Sequence, residues 1–212
     1  MILLQEWITF IFDHPTDGGM EKAWYWSEDA PEWQGAREQI PALIAETFEH
    51  GGELLARFSD EQLDQGFWFL AGATDPQFMH TLVDPKILLA TRLRASRSFV
   101  PLFEQVMAAR CSANFCHLDE DANPLNDSCY MWWDLLWFQL TEDIDTEILI
   151  TLRRLLAVPH DACRESALHG LGHWARRCPQ AADIVDEFLS SASGLRPEII
   201  AYAERARIGG VL

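Results

Sequence analysis

The stretch His160 to Leu189, HDACRESALHGLGHWARRCPQAADIVDEFL, limits the fold of this chain more than any other. Ala181, Ile184, Val185, Phe188 and Leu189 recur with the spacing of one helical face, which a strand cannot bury on one side. Pro179 stands where that helix would begin, a position whose amide needs no intrahelical partner. Asp161–Ala175 reads as a preceding helix, and the short link between them makes the two an antiparallel hairpin. The stretch also carries a His-x-x-x-His pair, His169 and His173, flanked by Cys163 and Cys178.

The rest of the chain is also helical in pattern. Residues 2–12 read as a helix apolar nearly all round, hence buried. Pro15, Gly18, Gly19 and Pro31 make residues 14–32 loop-like. Trp24, Tyr25, Trp26 and Trp33 in this region are expected to plug a gap in the core, a ligand pocket being the other use of such rings. Residues 35–57 follow as helix, divided at Gly51-Gly52. Ser59 and Gln62 form a capping box that starts a helix ending near Gly72. Asp75-Pro76 and Asp84-Pro85 each place a carboxylate before a proline at a first helical position, and the second is expected to open a helix at Pro85. Ser98–Cys111 is a further helix. Residues 112–127 are irregular and acidic, yet lack the glycine and terminal glutamate of a calcium loop. Helices over Cys129–Leu140, Thr146–Ala157, Asp161–Ala175, Pro179–Ser190 and from Pro197 to Gly209 complete an all-α chain of about nine to eleven helices.

A repeat is visible in this series. Asn126-Asp-Ser-Cys129 recurs about 34 residues later as His160-Asp-Ala-Cys163, each opening an apolar helix, and Ser59-Asp60 lies about two such periods before the first. Residues 165–189, ESALHGLGHWARRCPQAADIVDEFL, resemble a HEAT-type repeat: small residues where the first helix nears its neighbour, a proline opening the second, and an apolar stripe along it. The resemblance covers residues 126–191 and, by weaker analogy, 59–111. It implies an α-solenoid in one domain over residues 1–212, with an irregular helical cap over 1–58 and HEAT-like helix pairs over 59–212. The chain is also similar to small bacterial HEAT-like proteins that act as interaction scaffolds and inhibitors. That likeness implies an architecture rather than an activity.

Charge narrows the partners. Asp and Glu number 33 against 16 Lys and Arg, a net charge of −17. The excess lies in residues 1–90 and 111–150, and the latter segment has no Lys or Arg at all. Such a surface repels nucleic-acid phosphates and anionic lipid, which excludes a HEAT-type DNA glycosylase, and complements a basic protein. All bases but Lys22 and Lys86 are arginine, suited to fixed carboxylate pairing within the fold. The expected function is a non-enzymatic interaction module of immunity or adaptor type. Its candidate surface is Asp119, Glu120, Asp121, Glu142, Asp143 and Asp145 with Trp24 and Trp26. The apolar start MILLQEWITFIFD lacks a basic leader, and no run is long enough to span a membrane. An odd set of five cysteines fits a reducing compartment, so a cytoplasmic location is expected.

The alternative function is a metal-dependent enzyme centred on His169 and His173. The two lie about 40° apart on a helix and can reach one ion, which for zinc needs one or two more ligands. Cys163 falls about 120° away around the same helix and Cys178 lies past its end, so neither is well placed. Gly170 stands where a zincin carries its general-base glutamate. Gly170 and Gly172 suit close helix approach, and the histidines then read as structural polar groups, with no bound metal or cofactor expected. Cys111, Cys116, His117 and Cys129 match no zinc-finger spacing and read as buried thiols. Phosphate loops, nucleophile elbows and dinucleotide fingerprints are missing. Glu38 and Asp134 are acids suited to acid–base work that spacing does not single out, so no catalytic residue is assigned.

Overall fold

A computed structural model describes residues 2–17, 19–72, 78–118, 120–135, 142–191 and 193–211. The described residues are all-helical and contain no strand. The helices are α1 (Ile2–Phe12), α2 (Ile40–Glu49), α3 (Gly51–Leu54), α4 (Asp60–Ala71), α5 (Leu89–Arg97), α6 (Phe99–Leu102), α7 (Ala108–Arg110), α8 (Leu125–Leu135), α9 (Glu142–Leu156), α10 (Asp161–Ala175), α11 (Pro179–Ser190) and α12 (Pro197–Arg207). A π-turn, Phe103–Met107, joins α6 to α7, so the helix expected over Ser98–Cys111 is one helical run with a widened middle.

Local signals explain most boundaries. Ser59 Oγ accepts from the Gln62 amide while Gln62 Oε1 accepts from the Ser59 amide, so both halves of the capping box form at the start of α4. Pro179 opens α11 and Pro197 opens α12. Gly209, at φ 71°, takes the left-handed turn after α12 that a side chain disfavours.

Several boundaries differ from expectation: α2 begins at Ile40 rather than residue 35, α8 at Leu125 rather than Cys129, and α9 at Glu142 rather than Thr146. Two further readings fail for a visible reason. Pro85 does not open a helix: Asp84 Oδ1 accepts from the Lys86 amide in a turn, and α5 begins only at Leu89. Asn126 does not cap α8 but lies inside it, exchanging hydrogen bonds with the backbone of Ser112. Asn123 serves the α8 start instead, accepting from the Leu125 amide. A loop-anchoring use of Asn126 won over capping because Ser112 presents both a donor and an acceptor at 2.9 Å. The Asp75-Pro76 start and residues 136–140 of the helix expected to reach Leu140 fall outside the described residues.

The helices pack in two series. α1 lies on α4, α4 on α8, α8 on α10, and α10 on α12. Beside them α2 lies on α5, α5 on α9, and α9 on α11. α10 touches members of both, packing against α8, α9, α11 and α12. The core between the series is aromatic: Trp132 of α8 is fully buried and meets Phe48, Phe67 and Phe99 edge-on at 6.0, 5.7 and 5.7 Å. Arginines tie acidic segments together as expected, Arg110 to Asp60, Arg97 to Glu147, and Arg94 to Glu46 and Glu49. No described helix is long and apolar enough to cross a membrane.

Candidate functional site

α10 can sit at the centre of four helices because two of its positions have no side chain. A Cβ on Gly170 would lie 2.6 Å from the Trp133 ring, and one on Gly172 would lie 2.4 Å from Val211. The close approach expected of the glycines is thus made to α8 and to the chain end. It also brings the exposed edge of α8 beside the histidine face of α10.

That edge carries Asp134. Its Oδ2 lies 2.6 Å from His169 Nε2 and its Oδ1 lies 2.7 Å from His173 Nε2. The two Nε2 atoms are 3.0 Å apart. One carboxylate and two imidazoles therefore point their ligand atoms at one small volume. His169 is buried, while His173 and Asp134 keep 33% and 25% of their side chains exposed, so the cluster opens to one side. Burial alone would raise the Asp134 pKa; hydrogen bonds from His169 and His173 outweigh it and hold the carboxyl well below the usual carboxylate range.

Behind the cluster runs a supporting chain of polar groups. His169 Nδ1 lies 2.7 Å from the Tyr202 hydroxyl, which lies 3.1 Å from the Tyr130 hydroxyl. Burial raises the pKa of both phenols, so both remain neutral hydroxyls able to donate or accept. The Tyr202 ring stacks on His117 at 4.1 Å, and His117 Nδ1 meets the buried Glu165 at 2.5 Å. Glu165 also accepts from the amides of Cys116 and His117. One residue of α10 thereby pins the turn that covers Tyr202.

The other metal-ligand candidates from the sequence go elsewhere. The Cys163 thiol, fully buried, turns to the Phe103 carbonyl, and Cys178 turns to the Gln180 side chain. Neither is a member of the His169–His173 cluster; Asp134 takes that place. Cys111 and Cys129 are buried thiols, and the Cys116 pKa is pushed up to about 12 by burial and by Glu165 and Asp127. A second group of possible ligands, Glu46, Glu49 and His50, already holds the Arg94 guanidinium between its carboxylates.

The expected interaction surface is spread over separate places. Glu120 is engaged internally, accepting from the Phe115 amide at 2.8 Å and pairing with Arg196 at 3.2 Å. Asp121 is exposed, and Asp145 borders a groove between α9 and α11. Trp24 lines a cavity near α1, whereas Trp26 is 61% exposed. Asp119 and the side chains of Glu142 and Asp143 lie outside the described residues. Glu38 makes no contribution to the histidine cluster.

Spacing within one helix found the histidines, but Asp134 lies 35 residues from His169. One signal did mark it: Asp134 is the single charged residue in the apolar run CYMWWDLLWFQL, and a carboxylate so embedded needs a partner. Comparison with models of known families, with curated proteins and with solved structures returned no match.

Proposed function

We propose that Asp134, His169 and His173 bind a divalent transition-metal ion, and that the protein is a metal-dependent enzyme. The observation that carries this reading is the convergence of the three ligand groups within 2.6 to 3.0 Å. Adjacent donors around an ion with bonds of about 2.1 Å are about 3.0 Å apart in an octahedral set and about 3.4 Å in a tetrahedral one, and the two Nε2 atoms match the first. Both of those nitrogens face the same carboxylate, so each needs a proton there, or one cation takes the place of both protons. Two imidazoles and one carboxylate suit zinc, iron(II) or manganese(II) better than calcium or magnesium.

The set has the features of an open site. Three protein ligands on one side leave further positions, and the exposed edges of His173 and Asp134 put those positions toward solvent. A bound ion would lower the pKa of a water held there and polarise a substrate oxygen. The Tyr202 hydroxyl oxygen lies where it would accept from His169 Nδ1–H, and that hydrogen bond would hold the ring in the tautomer whose Nε2 is free to bind.

The test is metal analysis of protein purified without chelators or metal affinity resin, followed by titration with zinc, iron(II) and manganese(II). About one ion per chain is expected, with binding lost in Asp134→Ala and His169→Ala. Turnover of simple ester and phosphoester substrates should depend on the ion and on Asp134. Trace metal only, with the same weak binding in wild type and Asp134→Ala, refutes the centre; stoichiometric metal without turnover confines it to a structural role.

The helix packing supports a second reading, an α-solenoid-like interaction module for a basic protein. The two series α1–α4–α8–α10–α12 and α2–α5–α9–α11 follow the layering of HEAT-like pairs, in which first helices stack on first helices and second on second. The acidic excess of residues 1–90 and 111–150 supports a cationic partner, and five unpaired cysteines support a reducing, cytoplasmic setting. A purified basic partner should bind with an affinity that falls steeply with salt; salt-independent binding argues against charge as its basis.

A further inference from the structure

The segment before α2 folds back on α1 and α4 and encloses a cavity of about 380 Å³. Its walls are aromatic: Phe10 from α1, Trp24, Tyr25 and Trp33 from the returning segment, and Phe69 from α4. The rings brace one another, Trp24 against Phe69 at 4.4 Å, Tyr25 stacked on Phe69 at 5.2 Å, and Phe10 against Trp33 at 5.4 Å. His14 stacks on Trp24 at 3.9 Å and covers one face of that ring. The volume falls within the range of small-molecule sites.

Two carboxylates, Glu28 and Glu32, line the same cavity. Both are exposed, and neither pairs with an Arg, Lys or His among the described residues. Among the described residues no Lys or Arg lines the cavity or lies over one of its rings. The contrast with the rest of the molecule is informative. Arg57, Arg196 and Arg205 sit over Phe58, Phe115 and Tyr202, so elsewhere the chain places its own guanidinium groups against buried aromatic rings. At the cavity the rings and the negative charge occur together without a guanidinium or ammonium group of the described residues over them.

We infer that this cavity binds a small organic cation of the alkylammonium class. Ring quadrupoles attract an ammonium group at van der Waals distance, and partial desolvation strengthens the attraction. Glu28 and Glu32 add a field that repels anions and gives a neutral ligand no advantage. The Tyr25 hydroxyl, its pKa raised to about 12 by burial and by Asp64, remains a neutral wall. None of Asp134, His169 or His173 lines the cavity, so this site stands or falls separately from the metal centre.

Choline is the probe, with 3,3-dimethylbutan-1-ol as its neutral isostere, titrated into the full chain by calorimetry and tryptophan fluorescence. Saturable choline binding is expected with a Kd of roughly 1 mM or tighter, and the isostere at least about tenfold weaker. The double variant Glu28→Gln/Glu32→Gln alters exposed side chains only and should keep its circular dichroism. It should bind choline about three- to tenfold more weakly with the isostere unchanged. Equal affinity for the two probes, choline affinity unmoved by the double variant, or no saturation by about 20 mM choline overturns the proposal.

Discussion

Asp64 of α4 is 6% exposed, and its Oδ1 has no hydrogen-bond partner. Burial raises its pKa to about 7; contact with Ser128 opposes the rise and the nearby Asp127 adds to it. A carboxyl whose pKa is raised on folding stabilises the fold fully below its unfolded pKa, and that stability is lost as pH rises through about 7. Between pH 5 and pH 8 the loss is on the order of 2 to 3 kcal/mol. Asp64→Asn has no proton to lose, so its stability relative to wild type should improve by about that amount from pH 5 to pH 8, read from urea midpoints. An equal difference at both pH values would place the carboxyl's titration outside this range. Tyr202 makes a second residue-scale case. Tyr202→Phe removes the hydroxyl 2.7 Å from His169 Nδ1 while keeping the ring stacked on His117. Metal affinity should fall about 10- to 100-fold with thermal stability little changed, the pattern of a group that orients a ligand rather than binding the ion.

At the scale of elements, α10 shows what the sequence could and could not convey. Its bounds, Asp161–Ala175, and those of α11, Pro179–Ser190, follow from apolar period and proline placement, and the structure has the same limits. The α4 start was legible for the same reason: a capping box is local chemistry within four residues. Asp84-Pro85 and Asn126 were misread because an Asx side chain can serve a turn or a distant loop as readily as a helix end. Local pattern does not decide between those uses. The third member of the histidine cluster was marked in the sequence as an embedded carboxylate but could not be joined to the histidines, because α8 and α10 meet only through tertiary packing, around Gly170 and the ring of Trp133. That contact gives a prediction. Gly170→Ala gains about 1 kcal/mol of helix propensity but drives a methyl group against Trp133 and Leu152. A net destabilisation of about 1 to 2 kcal/mol is expected, with metal affinity reduced because Asp134 moves with Trp133. A variant as stable as wild type with unchanged affinity would mean that the α8–α10 approach is slack.

For the whole molecule, the position of the cluster decides how a metal would act on stability. The aromatic core about Trp132 is buried without help from Asp134 or the histidines, so the fold does not depend on an ion as a zinc finger does. Yet the cluster joins α8 to α10, and α10 is the helix that touches both series. An ion held there binds only the folded arrangement and cross-links the two central helices. Its effect is therefore one of mass action: at free metal about 100-fold above Kd the folded state gains about 2.7 kcal/mol. For a chain of this length that corresponds to a rise in Tm of about 5 to 10 °C. Scanning calorimetry with and without zinc should show that rise in wild type, none in Asp134→Ala, and little with magnesium, which disfavours imidazole ligands. Chelator should return wild type to its lower Tm with its helical signal intact. Loss of helix on chelation would instead make the ion a condition of folding, and the packed aromatic core would then have less autonomy than its burial implies.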